Sequence, residues 1–305
     1  MIINKPCGLT SHDVVARVRR LTRSTRVGHA GTLDPQAAGV LLICLGKGTK
    51  ITQFLHELPK TYRATLTLGV RTDTRDATGK VVAVRPVGAL DPGFVGAVLA
   101  TFHGSIEQIP PMYSALKRQG QRLYTLARQG IEVERQPRRV RIHRIVLQTL
   151  TPETLTLEVE CSSGTYIRVL ADDIGEQLGC GAHLAELTRT AVGSFTWSAA
   201  LTLEALQEAV RLGVWQSHLI SLGRGLAGFP AIVITPAAAQ ALAHGIPPAT
   251  GEVSQVEGAL AVGETVAVRG PDGALLAVGA ARIGVTEMHE VPPGTAAIQL
   301  RRVLV

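Results

Sequence analysis

Residues 28–39 place one carboxylate in a segment suited to close contact. The sequence Gly-His-Ala-Gly-Thr-Leu-Asp-Pro-Gln-Ala-Ala-Gly brackets Asp34 with three glycines and one proline. Glycine lets another backbone approach closely and proline restricts the chain, so this segment would hold Asp34 rigidly. A carboxylate held in this way can act as a nucleophile or as a base. The alternative is structural: Asp34 would be the N-cap of a helix beginning at Pro35, although Ala38-Gly39 makes a poor helix interior.

Basic residues are concentrated in two parts of the chain. The 305 residues include 31 Lys and Arg against 24 Asp and Glu, which gives a formal net charge of +7. Residues 117–144 hold nine basic and two acidic residues, and residues 1–60 hold nine and three. This balance favours a polyanionic partner, with nucleic acid the first candidate. Residues 228–305 differ, because they hold four basic and six acidic residues.

The cysteines and the hydropathy pattern exclude several classes of protein. The four cysteines show no CxxC spacing and no secretory leader precedes them, so we expect free thiols and a cytoplasmic location. The longest uncharged stretch, residues 225–251, contains four prolines. It cannot supply the roughly twenty continuous apolar residues of a membrane-spanning helix. With 46% hydrophobic residues, the chain is expected to form a globular protein.

Strands and helices must alternate along the chain to position Asp34 and the basic segments. Apolar patterns of period two predict strands at residues 62–69, 79–84, 140–147 and 155–160, and a continuous apolar run predicts one at 40–45. Helical spacing predicts helices at 12–22, 50–57, 91–100, 122–129, 168–178, 183–188 and 203–209, the first capped by Thr10 or Ser11. The expected fold is α+β, with a mixed, largely antiparallel central sheet flanked by helices in residues 1–226. Residues 227–305 are expected to form a separate small β-barrel.

Several motifs spread over residues 2–200 together resemble one known family. They are Asn4-Lys5-Pro6-x-Gly8-x-Thr10-Ser11, Gly28-His29-x-Gly31-Thr32-Leu33-Asp34-Pro35, Lys60-Thr61-Tyr62, Gly69 with Thr72-Asp73-Thr74-x-Asp76, Gln108-Ile109-Pro110-Pro111-x-Tyr113-Ser114-Ala115, and Gly164-Thr165-Tyr166-Ile167-Arg168. In this order they resemble the bacterial tRNA pseudouridine synthase B family, TruB. Each motif alone is weakly specific, but their shared order over two thirds of the chain is highly specific.

The resemblance implies that uridine 55 in the T-loop of tRNA is isomerised to pseudouridine, with no cofactor or metal ion. Asp34 matches the family's catalytic aspartate, and both direct attack at C1′ and abstraction of the 2′ proton stay open. Arg168 matches the arginine that would keep a desolvated Asp34 ionised through a bidentate contact, the alternative being a surface arginine in a first helical turn. Tyr62 matches the tyrosine that stacks on the extruded base, the alternative being a strand aromatic that faces the core.

The resemblance also implies substrate-binding roles for four residues. His29 matches the histidine that helps to displace and hold the RNA loop. Tyr166 would orient Asp34 or the sugar through its hydroxyl, and Leu187 would line the uracil pocket, although both are also compatible with ordinary core positions. Lys5, grouped with these residues, would pack the N-terminal strand beneath the site.

Residues 113–144 resemble the basic insertion that closes over the T-loop, and residues 227–305 resemble a PUA domain more weakly. The residues expected to bind RNA phosphates are Lys117, Arg118, Arg122, Arg138, Arg139 and Arg141. A solvated charged segment is the alternative. The expected partner is the T-arm and elbow of tRNA, bound by a monomer without membrane contact. A tRNA-folding chaperone with secondary or absent chemistry is the second hypothesis, because it needs the same basic surfaces.

Charge reversal in the basic segment tests its predicted role. Replacing Arg138, Arg139 and Arg141 by glutamate should weaken tRNA binding and flatten its salt dependence. The expected change is about 0.7 to 0.9 in the slope of log K against log salt concentration for each lost phosphate contact. Binding titrations over a series of salt concentrations measure this slope. A variant with an unchanged slope would exclude the segment from phosphate contact.

Overall fold

The computed structural model describes residues 1–114, 116–118, 120–288 and 290–304, apart from the side chains of residues 117, 118, 122, 124 and 128. The predicted phosphate contacts of Lys117, Arg118 and Arg122 therefore lie outside the described residues. Strands β1 to β18 are Ile2–Lys5, Val27–Ala30, Ala38–Leu45, Lys60–Leu68, Val70–Thr72, Val81–Val84, Gly104–Gln108, Lys117–Arg118, Gln121–Arg122, Arg138–Leu150, Thr154–Cys161, Ala182–Val192, Phe195–Thr196, Ala231–Ile234, Val253–Glu257, Thr265–Arg269, Leu275–Ala281 and Ile298–Val303. Helices α1 to α8 are Ser11–Thr22, Thr52–Leu55, Pro92–Thr101, Leu123–Arg128, Ile167–Gln177, Leu203–Arg211, Leu222–Gly225 and Pro236–Ala243.

A mixed sheet organises the larger part of the molecule. Within the described residues it has nine strands in the order β1-β3-β12-β4-β11-β10-β7, with β2 beside β3 and β13 beside β12. Its neighbouring strands are antiparallel except β3 and β12, which run parallel with Arg189 opposite Gly39. The predicted α+β fold with a mixed, largely antiparallel sheet is confirmed. The parallel pair brings β12 beside the strand that follows Asp34.

Alternating side chains on β4 and β11 build the main core. Every second residue of each strand is buried, and helices α3 and α5 pack on the same face. The buried members include Tyr62, Ala64, Leu66 and Leu68 on β4, Leu155, Leu157 and Val159 on β11, and Val95, Leu99, Leu170 and Ile174 on the helices. Burial of each Leu, Ile or Val side chain contributes about 1.5 to 3 kcal/mol. A shift of β4 by one residue would turn its buried side chains outward, so the register of this strand is strongly specified.

Helix α1 begins where the sequence predicts. The Asp13 N–H donates to Thr10 Oγ1 at 3.1 Å and the Thr10 N–H donates to Asp13 Oδ2 at 2.9 Å, which is a capping box. Val14 and Val18 anchor the helix in a core cluster beneath β3. The helix N-terminus is thereby fixed, and Ser11 in its first turn lies next to the segment that carries Asp34.

The helix predicted at residues 183–188 is wrong, because these residues belong to strand β12. The apolar residues Leu184 and Leu187 have helical spacing, but β12 pairs with β4 on one side and with β3 on the other. Two hydrogen-bonded neighbours outweigh a short local pattern. The helix predicted at residues 50–57 is only partly formed, as a 3-10 segment over Gly46–Ile51 followed by the short α2.

Asp34 does not cap a helix. The Ala37 N–H donates to the Asp34 carbonyl at 3.0 Å, which closes a turn, and β3 follows at once. The alternative interpretation of Asp34 as an N-cap is therefore wrong. The carboxylate belongs to the connection that leads from β2 into β3, residues 31–39, which we call the Asp34 segment.

The C-terminal residues form a second sheet with the strand order β15-β14-β16-β17-β18. This sheet packs against the larger part of the molecule, residues 1–226, since Val278 and Leu304 share a buried apolar cluster with Phe54, Leu55 and Leu226. None of the helices in the described part of the chain has the length and apolar composition that a membrane crossing requires.

The close contact between β3 and β12 predicts a large cost for Gly39→Ala. Gly39 has φ +105°, and a Cβ there would lie 2.2 Å from the Arg189 carbonyl oxygen. We expect a loss of about 3 kcal/mol or more, because the clash adds to the backbone strain. Gly46→Ala is the control: its φ is +55° with no atom within 4 Å of the added Cβ, so about 1 kcal/mol is expected. Urea unfolding measures both, and equal losses would contradict the close contact.

Candidate active site

Asp34 is held by contacts from the N-terminal part of the chain. Ser11 Oγ accepts from the Leu33 N–H at 2.9 Å and donates to the Leu33 carbonyl at 3.1 Å. The Gly8 N–H donates to the Pro35 carbonyl at 2.8 Å. The residues on both sides of Asp34 are thus fixed, while its side chain is 50% exposed. The carboxylate is oriented by the backbone and still accessible from outside.

Arg168 lies beside Asp34, as the sequence predicts. It is in the first turn of α5, and its side chain is only 7% exposed. Its Nη2 is 3.1 Å from Asp34 Oδ2, and its Nη1 is 3.4 Å from Asp76 Oδ2. The expected bidentate contact to Asp34 is therefore replaced by one guanidinium shared between two carboxylates. The alternative of a surface arginine is excluded by its burial.

Asp76 is a site residue to which the sequence motifs assign no role. Its Oδ1 accepts from Thr74 Oγ1 at 2.7 Å, from the Thr78 N–H at 3.0 Å and from Thr78 Oγ1 at 2.6 Å. These bonds leave Oδ2 facing Arg168. Asp with nearby Thr residues is typical of a side-chain-stabilised turn, and this was the available signal.

A buried carboxylate on α5 fixes the Asp76 turn against the helix that carries Arg168. Asp172 lies four residues after Arg168 on the same helix face. Its two oxygens are 2.9 Å from Arg71 Nε and 3.2 Å from Arg75 Nε. Since Arg75 immediately precedes Asp76, this network holds the turn and the helix in one arrangement.

Tyr62 lies on β4 in the main core cluster, together with Leu33 and Ala37 from the Asp34 segment. It is 8% exposed, and burial raises the pKa of its hydroxyl, whereas the charge of Arg189 acts in the opposite direction. The side chain is thus both a core aromatic and a neighbour of the candidate site. Arg189 is its cross-strand partner on β12.

His29 lies in a group of three histidines at the entry to the Asp34 segment. Its ring centroid is 5.3 Å from that of His12 and 6.5 Å from that of His56. Burial, followed by the charges of these neighbours, lowers the pKa of His29 to about 4. With this pKa, His29 is neutral at physiological pH. Within the described residues, no group of three or more His, Cys, Asp or Glu side chains is arranged to hold a metal ion.

Lys5 is completely buried beneath the Asp34 segment. Its ammonium donates to the carbonyls of Pro6 at 2.9 Å, Leu9 at 2.7 Å and Pro35 at 3.2 Å. Burial lowers the pKa of Lys5 to about 8. Because its donors are used by these carbonyls, Lys5 supports the site from below.

The other predicted site residues lie around this centre. Tyr166 is the residue before α5, its N–H donates to Gln108 Oε1 at 3.0 Å, and burial raises the pKa of its hydroxyl. Leu187 is half-buried on β12 opposite Ala64.

The predicted phosphate-binding arginines with described side chains lie at the start of β10. Arg138, Arg139 and Arg141 are exposed. Arg139 Nε is 3.8 Å from Glu107 Oε1, a long contact between two largely exposed side chains. Such a pair contributes little to stability, so these arginines are available to an anionic partner.

Comparisons with known families cover nearly the whole chain. Residues 19–167 match the TruB family pseudouridylate synthase N-terminal domain, and residues 168–219 match the tRNA pseudouridylate synthase B C-terminal domain. Residues 230–304 match the PUA domain.

Individual relatives agree with these matches. The tRNA pseudouridine synthase B of Geobacter sulfurreducens is 46% identical over 258 residues, which is 85% of each chain. The enzyme of the same name from Syntrophotalea carbinolica is 45% identical over 275 residues, 90% of this chain and 89% of the relative. Among solved structures, a Cbf5-Nop10-Gar1 complex contains a similar chain with a TM-score of 0.83 and 27% identity, covering 100% of this chain and 84% of that one. An archaeal box H/ACA sRNP Nop10-Cbf5 complex gives a TM-score of 0.79 with 26% identity, covering 100% and 85%.

The low pKa of His29 predicts a loss of stability in acid. Between its ordinary value of 6.5 and the folded value of about 4, the unfolded chain binds more protons at this residue. The free energy of unfolding should therefore fall as the pH decreases through this range, by about 1 to 2 kcal/mol from His29 after solvent screening. His29→Gln should reduce this loss in urea unfolding at pH 4 to 7, whereas the exposed control His143→Gln should not. Identical pH profiles for wild type and His29→Gln would contradict the inferred neutral state.

Proposed function

Because this chain belongs to the TruB family of pseudouridylate synthases, we propose that it converts uridine 55 in the T-loop of tRNA to pseudouridine. The chain is a pseudouridine synthase, an isomerase that carries a C-terminal PUA domain. Its relatives of high coverage bear the name tRNA pseudouridine synthase B. The observation that carries the proposed assignment of chemistry is the contact between the buried Arg168 and the accessible Asp34.

The proposed reaction moves the base from N1 to C5 on the same sugar. Cleavage of the C1′–N1 bond leaves its electron pair on the uracil, so that C1′ of the sugar becomes electron-deficient. Asp34 compensates this loss of electrons. It does so by bonding to C1′, or by accepting the 2′ proton so that a glycal forms. After the base rotates, C5 bonds to C1′ and Asp34 leaves or returns the proton. The C5 proton is then lost and N1 gains one, so that product and substrate are isomers.

Arg168 supports this chemistry through its charge and its position. When RNA covers the site, the half-exposed Asp34 loses water, and a desolvated carboxylate without a cation nearby would take up a proton. The guanidinium contacts Oδ2 of Asp34, so we assign the reacting role to Oδ1. Asp76 holds the other side of the guanidinium and thereby sets its direction.

The surrounding residues are proposed to admit and hold the RNA. An extruded uracil would stack on Tyr62 beside Leu187, and Tyr166 would contact the sugar or Asp34. His29, at the entry to the Asp34 segment, would hold the displaced RNA loop as a neutral side chain. The exposed arginines at the start of β10 would contact phosphates of the T-arm, and the PUA domain would contact a further part of the tRNA.

Tritium release from C5-labelled uridine in unmodified tRNA tests the proposed function. Wild type should release tritium, and Asp34→Asn should lose at least about 100- to 10,000-fold in rate while keeping its tRNA affinity, because the amide can neither attack nor accept a proton. The control is Asp91→Asn, since Asp91 is an exposed N-cap of α3 and asparagine caps equally well.

The possible outcomes separate the two functional hypotheses. Equal release from wild type and Asp34→Asn would contradict the catalytic role of Asp34. Intact binding without release by the wild type would favour the folding chaperone.

A further inference from the structure

Arg189 is a large side chain that is buried almost completely without a carboxylate partner among the described residues. It lies on β12 and is 1% exposed. Its Nε donates to the Val40 carbonyl at 2.7 Å, and its Nη2 donates to the Gly31 carbonyl at 2.9 Å. Burial of a charge is costly unless its donors are satisfied. Here one backbone carbonyl of the Asp34 segment and one of β3 accept hydrogen bonds from the guanidinium.

Both ends of the Asp34 segment meet at this one residue. At Gly31, with φ +89°, a Cβ would lie 3.3 Å from Arg189 Nη1. At Gly39, with φ +105°, a Cβ would lie 2.2 Å from the Arg189 carbonyl oxygen. The side chain of Arg189 therefore contacts the start of the segment, and its backbone contacts the end.

Arg189 also contacts the candidate base-stacking residue. It lies directly opposite Tyr62 in the β12–β4 pairing. The charge of its guanidinium acts on the Tyr62 hydroxyl, lowering a pKa that burial in the main core raises. Arg189 thus joins three elements: its side chain bonds to the Asp34 segment and to β3, and its backbone lies in the strand paired with β4.

We propose that Arg189 is a positioning residue for the isomerisation, fixing the Asp34 segment relative to Tyr62; this inference rests on the proposed function. The residue does not touch the substrate, because it is buried beneath the segment. A lysine cannot replace it, since an ammonium is a single point and the guanidinium fork reaches acceptors in diverging directions. Its loss should slow the chemical step while RNA binding, which depends on exposed residues, is retained.

Arg189→Lys and Arg189→Met test this role against a simple loss of stability. Leu206→Ala is the control, because Leu206 is completely buried in α6 in a different core cluster. Rates are measured as single-turnover tritium release with saturating enzyme, well below each melting temperature. Binding is measured as the Kd for tRNA. Hydrogen exchange of peptides covering residues 31–39 gives a readout that is independent of activity.

The expected result is a selective loss of rate. Both Arg189 variants should lose about 100-fold in rate, as a misplacement of about 1 Å can cause. Their Kd should stay near that of the wild type, and exchange should increase in residues 31–39. Leu206→Ala should keep its rate and its exchange in this segment despite a lower melting temperature.

Two results would overturn the proposal. One is an Arg189→Lys rate within threefold of the rate of Leu206→Ala, and the other is unchanged exchange in residues 31–39 of Arg189→Met. If the wild type itself releases no tritium, the proposed function fails. The exchange measurement then still decides whether Arg189 anchors the segment.

Discussion

One guanidinium shared between two carboxylates organises the candidate site. Arg168 is buried in the first turn of α5 and contacts Asp34 on one side and Asp76 on the other. Asp76 is fixed by its own turn, which leaves the arginine little freedom of direction. Asp34 is the exposed member of the three. Since charge is most effective where water is excluded, the contact between Arg168 and Asp34 gains its full electrostatic strength when the proposed RNA substrate covers Asp34.

Most of the architecture could be predicted from sequence because its signals are local. The N-cap at Thr10, one of the two residues predicted for it, and the alternation in β4 and β11 depend on neighbouring residues, and both predictions are confirmed. Strand β12 could not be predicted in this way. It is a strand because β3 and β4 pair with it, and those partners are distant in sequence. The same holds for the Asp34 turn, where contacts from Ser11 and Gly8 replace the helix that Pro35 would allow.

The candidate site likewise has some features that the sequence predicts and others that depend on the fold. Asp34 and Arg168 could be placed together because family motifs contain both residues, whereas the sharing of Arg168 with Asp76 depends on the fold. Lys5 and Arg189 illustrate the limit most clearly. A basic residue in a sequence is typical of a solvated surface, and yet both are buried and bond to backbone carbonyls around Asp34. No local pattern distinguishes such residues from the exposed arginines of β10.

The apolar cluster that joins the two sheets affects how the chain can be divided. Val278 of the C-terminal sheet and Leu304, which follows its last strand, pack with Phe54 and Leu226, and Thr265 Oγ1 donates to Glu57 Oε2 at 2.9 Å. A fragment that ends before the C-terminal sheet would expose this apolar surface to water, and an exposed apolar surface promotes self-association. The two units are therefore coupled in folding, and truncation removes a structural support as well as the proposed second contact for RNA.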